Sequence, residues 1–229
     1  MYESSTPEVW DRLAPDYDET HDDPVYWSCI VQAIEALRPA GKVLDAGCGT
    51  GTTTRLLLGS CERVEALDFS AGSLEILHSN LGAHDNLELV QGDVRELPYP
   101  DQSFDCVLCA NTLNCLTPDV QPRVAAELMR VLKPGGRYVV SVHHYSRYKA
   151  RRRWVKEGRP GQAGVDYVFR FTREELLRLF PGASIRAAGF YTLPARMQNL
   201  AARWIGRPLG AMKIGHVLIV SGVKAARLH

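Results

Sequence analysis

The chain has 229 residues, enough for one sizeable α/β unit with its own core and short for two independent ones. Its 27 Lys and Arg against 26 Asp and Glu leave a formal net charge of +1, which excludes a whole-molecule field that draws it to nucleic acid or an anionic membrane. The opening Met1-Tyr2-Glu3-Ser4-Ser5 has neither a basic nor an apolar leader region, and no apolar run reaches the roughly 18–20 residues that span a bilayer, so a cytoplasmic protein is expected.

Thr6 to Tyr17 and Tyr26 to Leu37 read as two helices broken around Pro24, placed over or beside the ligand edge of a sheet. From Lys42 to about Ser141, short apolar runs alternate with helical stretches, the pattern of parallel strands joined by crossover helices. The expected strands are Val43-Leu44-Asp45, Arg63 to Leu67, Leu87 to Val90, Cys106 to Ala110 and Tyr138 to Val142. Ser70 with Ser73-Leu74-Glu75 starts one helix. Pro118 to Leu132 makes another, stopped by Lys133-Pro134-Gly135-Gly136. Residues 145–166 are polar and basic without a clear period, and Thr172 to Phe180 reads as a capped amphipathic helix. Ser184 to Leu193 and His216 to Val223 read as two final strands, with a helix from about Ala195 to Ile205 between them.

The six cysteines, at 29, 48, 61, 106, 109 and 115, are scattered as reduced thiols would be. Cys106 and Cys109 formally make a C-x-x-C pair. They sit in one apolar strand, however, where residues three apart face opposite ways, so they read as two core cysteines rather than metal ligands.

Asp45-Ala46-Gly47-Cys48-Gly49-Thr50-Gly51 is a glycine loop at a strand-to-helix turn, which lets backbone approach a ligand closely. The dehydrogenase spacing G-x-G-x-x-G needs a third glycine at position 52, and Thr52 stands there. About 20 residues on, Asp68 ends the second strand, where a carboxylate can accept from both hydroxyls of a ribose; an N-capping aspartate is the structural alternative.

Val43 to Gly51 resembles the first motif of class I S-adenosylmethionine-dependent methyltransferases, within the small-molecule branch that includes the ubiquinone and menaquinone methyltransferases. Val90-Gln-Gly-Asp93-Val94, Pro100 to Val107 and Arg130 to Arg137 are similar to further segments of that family, so the resemblance covers roughly residues 8 to 145. It implies an α/β, Rossmann-like, mostly parallel seven-stranded sheet with helices on both faces and its last strand antiparallel. It implies S-adenosylmethionine as cofactor and S-adenosylhomocysteine as product. Gly47, Cys48 and Gly49 would line the methionine moiety, with Asp45 orienting its amino group. Asp68 and Phe69 would meet the ribose, Asp93 the adenine amino group and Val94 the ring through its backbone, with Asn111 after the fourth strand nearby. Val9 to Asp18 is similar to the family's lid helix, whose tyrosine closes over the cofactor, which points to Tyr17; Trp10 and Tyr17 as core anchors is the other reading.

Methyl transfer from a sulfonium is an in-line displacement, so the protein has to align a nucleophile and, for a hydroxyl or ammonium, remove its proton. In open α/β sheets the ligand lies beyond the carboxyl ends of the strands. That places Asn111, Thr112 and Asn114 after the fourth strand and His143, His144 and Tyr145 after the fifth beside the acceptor. Adjacent strand residues face opposite ways, and by register with the resembled branch His144 rather than His143 is the expected general base; a histidine hydrogen-bonded at a strand end is the alternative.

Arg147 to Arg159 is the local charge anomaly. It is a solvated insertion, a grip with Arg147 for an anionic acceptor, or a nucleic-acid surface with Trp154 as a stacking platform. The chain is expected to be a single unit: N-terminal helices as lid over 1–40, a cofactor-binding core over 41–144, a substrate-lid insertion over 145–180 and C-terminal strands over 181–229. A monomeric or homodimeric enzyme acting on a small molecule, without metal or membrane partner, follows. A nucleic-acid methyltransferase and a non-catalytic cofactor-binding partner protein are the alternatives.

Overall fold

The computed structural model describes residues 6–21, 24–144, 154–155, 168–189 and 217–226. Two helices, α1 (Pro7–His21) and α2 (Pro24–Leu37), lead into an alternation of strands and helices. Each begins on a proline, whose missing N–H costs nothing at a first helical turn. Strands β1 (Lys42–Ala46), β2 (Arg63–Asp68), β3 (Leu87–Gln91), β4 (Phe104–Ala110) and β5 (Leu132–His143) follow, with α3 (Thr52–Leu58), α4 (Ala71–Leu81) and α5 (Gln121–Val131) as crossovers. Among the described residues, two short strands, β6 (Trp154–Val155) and β7 (Val168–Phe169), form a separate pair. The chain then forms α6 (Arg173–Leu179), β8 (Ser184–Ala188) and β9 (Val217–Val223).

Seven strands form one sheet in the order β3-β2-β1-β4-β5-β9-β8. Strands β1 to β5 are mutually parallel, and β9 runs antiparallel between β5 and β8. This is the Rossmann-like arrangement expected, with the last strand reversed. Because both faces are covered, neighbouring residues of one strand serve different cores. Leu44, Val107, Cys109 and Val140 pack under α5 and α6, while Val43, Cys106, Leu108 and Val139 pack under α2. The two cysteines three apart lie on opposite faces, fully buried and free, as the strand period requires.

Helix ends are closed as the sequence indicates. Ser70 caps α4 by accepting from the Ser73 N–H at 3.0 Å, and Thr172 with Glu175 makes a capping box on α6. A long-range closure was not legible: Arg137 in β5 donates to the last carbonyls of α2, Leu37 at 3.0 Å and Arg38 at 2.7 Å.

Three expectations move. Helix α5 starts at Gln121, because Thr117 to Val120 form a turn, with the Val120 N–H on the Thr117 carbonyl at 3.1 Å, and Pro122 is the proline of the first helical turn. The Lys133-Pro134-Gly135-Gly136 run does stop α5, but it then continues as the extended start of β5. Gly135 donates to the Lys224 carbonyl and Lys224 donates to that of Gly136, both at 2.9 Å. Strand β8 ends at Ala188; the expected helix at 195–205 and His216 lie outside the described residues.

Leu44 is fully buried in the central strand pair. Leu44→Ala is expected to lower the free energy of unfolding by about 2–5 kcal/mol, to be measured as a drop in the urea midpoint at unchanged slope.

Candidate functional site

Parallel strands deliver their carboxyl ends to one edge, and the loops after β1, β2, β3 and β4 meet there. They surround a cavity of about 720 Å³, counting its open mouth.

The loop after β1 is pinned to the end of β2. Gly47 and Cys48 N–H groups both donate to the Leu67 carbonyl, at 2.7 and 3.0 Å, and Gly49 N–H donates to Asp68 Oδ2 at 2.9 Å. Gly47 has φ of 75°, and a Cβ built there would collide with the Thr112 side chain after β4. Only glycine lets these two loops close on each other, and the Thr112 hydroxyl donates to the Gly47 carbonyl at 3.2 Å.

Asp45 lies beneath the loop, fully buried. Its Oδ2 accepts from the hydroxyls of Thr53 and Thr54, at 2.8 and 2.7 Å, while Oδ1 is buried without a hydrogen-bond partner. Burial pushes its carboxyl up to about 6, against the lowering effect of the two threonines, and nearby Asp68 adds to the rise. Asp68 lines the cavity and accepts from Gly49 and Ser70 backbone N–H groups. Burial raises its pKa too, with those N–H groups pulling the other way.

After β3, Asp93 also lines the cavity. Burial acts to raise its pKa, but Arg95 more than offsets this. The Arg95 side chain donates through Nε at 2.7 Å and its backbone N–H at 2.8 Å, leaving Asp93 below the ordinary carboxylate value.

The mouth is covered by α1. Trp10 and Tyr17, seven residues apart on one helix face, both line the cavity, with ring centroids 6.3 Å apart. Two aspartates on α1 fasten it. Asp11 accepts from the Ser70 hydroxyl at 2.6 Å and the Gly72 N–H at 3.0 Å; Asp18 accepts from the Thr50 hydroxyl and from Asn80 at 2.9 Å. At the end of β4, Asn111 takes a left-handed φ of 55°, rare for a side-chain-bearing residue. Its N–H donates to the Ser141 carbonyl at 2.9 Å, and its amide oxygen accepts from the Ser141 hydroxyl at 3.3 Å.

The fold thus gathers Tyr17, Gly47, Gly49, Asp68, Phe69, Asp93, Val94 and Asn111 around one cavity. Other sequence candidates stand elsewhere. Cys48 turns into a small core with Ala66 and Leu77. Asn114 is 2% exposed in a tight turn and is not among the lining residues, because that turn points its side chain inward. His143 and His144 sit half-buried at the end of β5, where the Phe171 N–H donates to the His143 carbonyl at 2.8 Å and His144 bridges to Phe171. Neither histidine is among the described lining residues. Tyr145 and Arg147 lie outside the described residues. Sequence reasoning missed Arg95 and Cys115 on the wall. It also missed the Asp11 and Asp18 fastenings, which join residues 59 and 32 positions apart without any local signal.

Residues 43–136 match a family described as a methyltransferase domain. Among curated relatives, the chain is 36% identical over 140 residues to the demethylmenaquinone methyltransferase of Clavibacter sepedonicus, covering 58% of this chain and 55% of that one. It is 35% identical over 149 residues to a ubiquinone/menaquinone biosynthesis C-methyltransferase of Hahella chejuensis, covering 60% and 59%. The chain therefore spans little more than half the length of these relatives. Among solved structures, the N-methyltransferase NodS from Bradyrhizobium japonicum WM9, in complex with S-adenosyl-L-homocysteine, superposes with a TM-score of 0.67 at 14% identity, covering 95% of this chain and 96% of that one. That likeness concerns the fold. The cavity lies where the β1 and β4 loops of the matched segment meet, with helix α1, outside that segment, as its cover.

The Asp45 carboxyl titrates higher in the folded chain than in the unfolded one, so the folded state holds the extra proton between about pH 4 and pH 6 and loses relative stability as pH rises through that window. Asp45→Asn removes the titration. The melting temperature of the ligand-free wild type is expected to fall relative to that of Asp45→Asn between pH 4 and 6, measured by scanning calorimetry.

Proposed function

We propose that the chain is a cytoplasmic enzyme that transfers a methyl group from S-adenosylmethionine to a small-molecule acceptor and releases S-adenosylhomocysteine. The observation that carries this reading is the buried Asp45 with its unpaired Oδ1, set below a glycine loop whose cavity also holds Asp68 and Asp93. These residues fit the cofactor. Asp45 suits an ammonium, which would pair the orphaned oxygen and favour the ionised form. Asp68 retains lone pairs for ribose hydroxyls beyond the two backbone N–H groups it holds, and Asp93 with the Val94 backbone suits an adenine edge.

When bound, S-adenosylmethionine supplies a methyl on a sulfonium, open to in-line attack. The chain's own part is alignment and exclusion of water: Trp10 and Tyr17 cover the site, and Asn111 and Thr112 form the wall at the end of β4. The acceptor would enter from the side of β5, where His144 takes the proton from a hydroxyl or ammonium and Tyr145 and Arg147 contribute contacts. The quinone C-methyltransferase activity of the relatives makes a flat, oxygenated ring the first acceptor class to try. The N-terminal helices and residues 145–180 work with the core as one unit in this reading.

Titration with S-adenosylmethionine, S-adenosylhomocysteine, NAD and RNA tests the assignment: binding of the first two is expected, and stabilisation by NAD alone or tight, salt-sensitive binding of RNA would overturn it. Asp68→Ala is expected to weaken S-adenosylhomocysteine binding by about 1.5–3 kcal/mol in a folded protein, read by titration calorimetry. With an acceptor found by mass gain of one methyl, His144→Ala is expected to lower turnover by roughly 10²–10⁴-fold at near-constant cofactor affinity. An unimpaired variant removes the base from the scheme.

A further inference from the structure

Tyr26 stands in the first turn of α2 and is not among the described residues that line the cavity, yet its hydroxyl ties two of them together. The Tyr17 hydroxyl, on α1, hydrogen-bonds to Tyr26, and the side chain of Asn111, at the end of β4, bonds to Tyr26 as well. The donor sense follows from the neighbours. Asn111 spends its amide oxygen on the Ser141 hydroxyl, which leaves its amide nitrogen to donate to the Tyr26 oxygen. The Tyr17 side chain hydrogen-bonds to the same hydroxyl. Burial pushes both phenols up, Tyr26 to about 12, so both remain neutral hydrogen-bonding groups at physiological pH.

The resulting chain runs Tyr17, Tyr26, Asn111, Ser141, and it joins α1, α2, β4 and β5 across the cavity. It meets the sheet at Asn111, whose left-handed backbone persists only because surrounding contacts over-determine it. The aspartate fastenings of α1 reach the far side of the mouth, toward α4. Tyr26 supplies the hold on the β4 side.

We propose that Tyr26 is a positioning residue, which through its shared hydroxyl fixes the lid tyrosine Tyr17 and the strand-end Asn111 in register, and so sets how tightly the cavity grips its ligand. The proposal rests on the methyltransferase reading, in which that ligand is S-adenosylmethionine or its product. A phenyl ring in place of the phenol keeps the packing and removes only the shared oxygen.

The test is a double-mutant cycle on S-adenosylhomocysteine affinity, with Tyr17→Phe, Tyr26→Phe and the pair, each also melted. Tyr26→Phe is expected to weaken binding roughly 3- to 10-fold, the scale of one net hydrogen bond. Because both singles remove the same link, the double variant is expected to bind no worse than the weaker single. A residue that only supported the fold would lower the melting temperature and add its effect to that of Tyr17→Phe. Unchanged affinity in Tyr26→Phe, or additive losses in the pair, overturns the proposal while leaving the methyltransferase reading intact. A wild-type protein that fails to bind S-adenosylhomocysteine overturns both.

Discussion

The carboxylate of Asp68 accepts from the Gly49 N–H in the loop after β1 and from the Ser70 N–H at the start of α4, and so joins the two turns between which the cavity opens. The Leu67 carbonyl beside it takes the Gly47 and Cys48 N–H groups. One strand end thereby satisfies four backbone donors, three in the sharp glycine turn and one at the start of α4, that would otherwise lack these partners. The rest of the site depends on that pin. Gly47 can then approach Thr112 after β4, Thr50 can present its hydroxyl to Asp18 of α1, and Ser70 is left with its hydroxyl free to cap α4 and donate to Asp11. A residue proposed for ligand binding is also the residue that builds the loop.

Charge is distributed to the same end. The overall balance of +1 conceals four aspartates, 11, 18, 45 and 68, gathered around the mouth and the loop beneath it. All four are tied to neutral donors of the protein: hydroxyls, amides and backbone N–H groups. Asp93, across the cavity, is instead held by an arginine, Arg95. Hydrogen bonds to neutral groups keep a carboxylate's charge available to a cationic ligand, whereas an ion pair spends it. The loop end thus suits a positively charged moiety, and the β3 end a neutral polar edge.

What the sequence made legible was local. The glycine spacing after β1, the acid ending β2, the Asp93-Val94 turn and the alternating burial of Cys106 and Cys109 each follow from a residue type at a fixed offset, and the fold places them as those offsets require. What it hid was pairwise. Nothing near Asp11, Asp18 or Tyr26 marks them as partners of α4, the glycine loop or β4, because the contact exists only once helices and strands have docked. The same holds for Asn114: its position after β4 suggested a pocket residue, but a single tight turn decides whether a side chain faces the ligand or the core, and here it faces the core. His143 and His144 were legible as strand-end histidines, but the backbone bridge from His144 to Phe171, far along the chain, was not.

The place of β9 between β5 and β8 sets an order on assembly. Strands β1 to β5 are neighbours through short crossovers and can pair as they emerge. Among the described residues, strand β8 is made before β9 but meets the sheet only through it, and pairs there once residues 217–223 arrive. During synthesis the growing chain therefore carries two open strand edges, those of β5 and β8, which a single late strand closes together. Such edges template pairing with other chains while they last. The interval between making Ala188 and making Val217 is the time in which the nascent protein is most exposed to association with its own copies, and slowing elongation there would lengthen it.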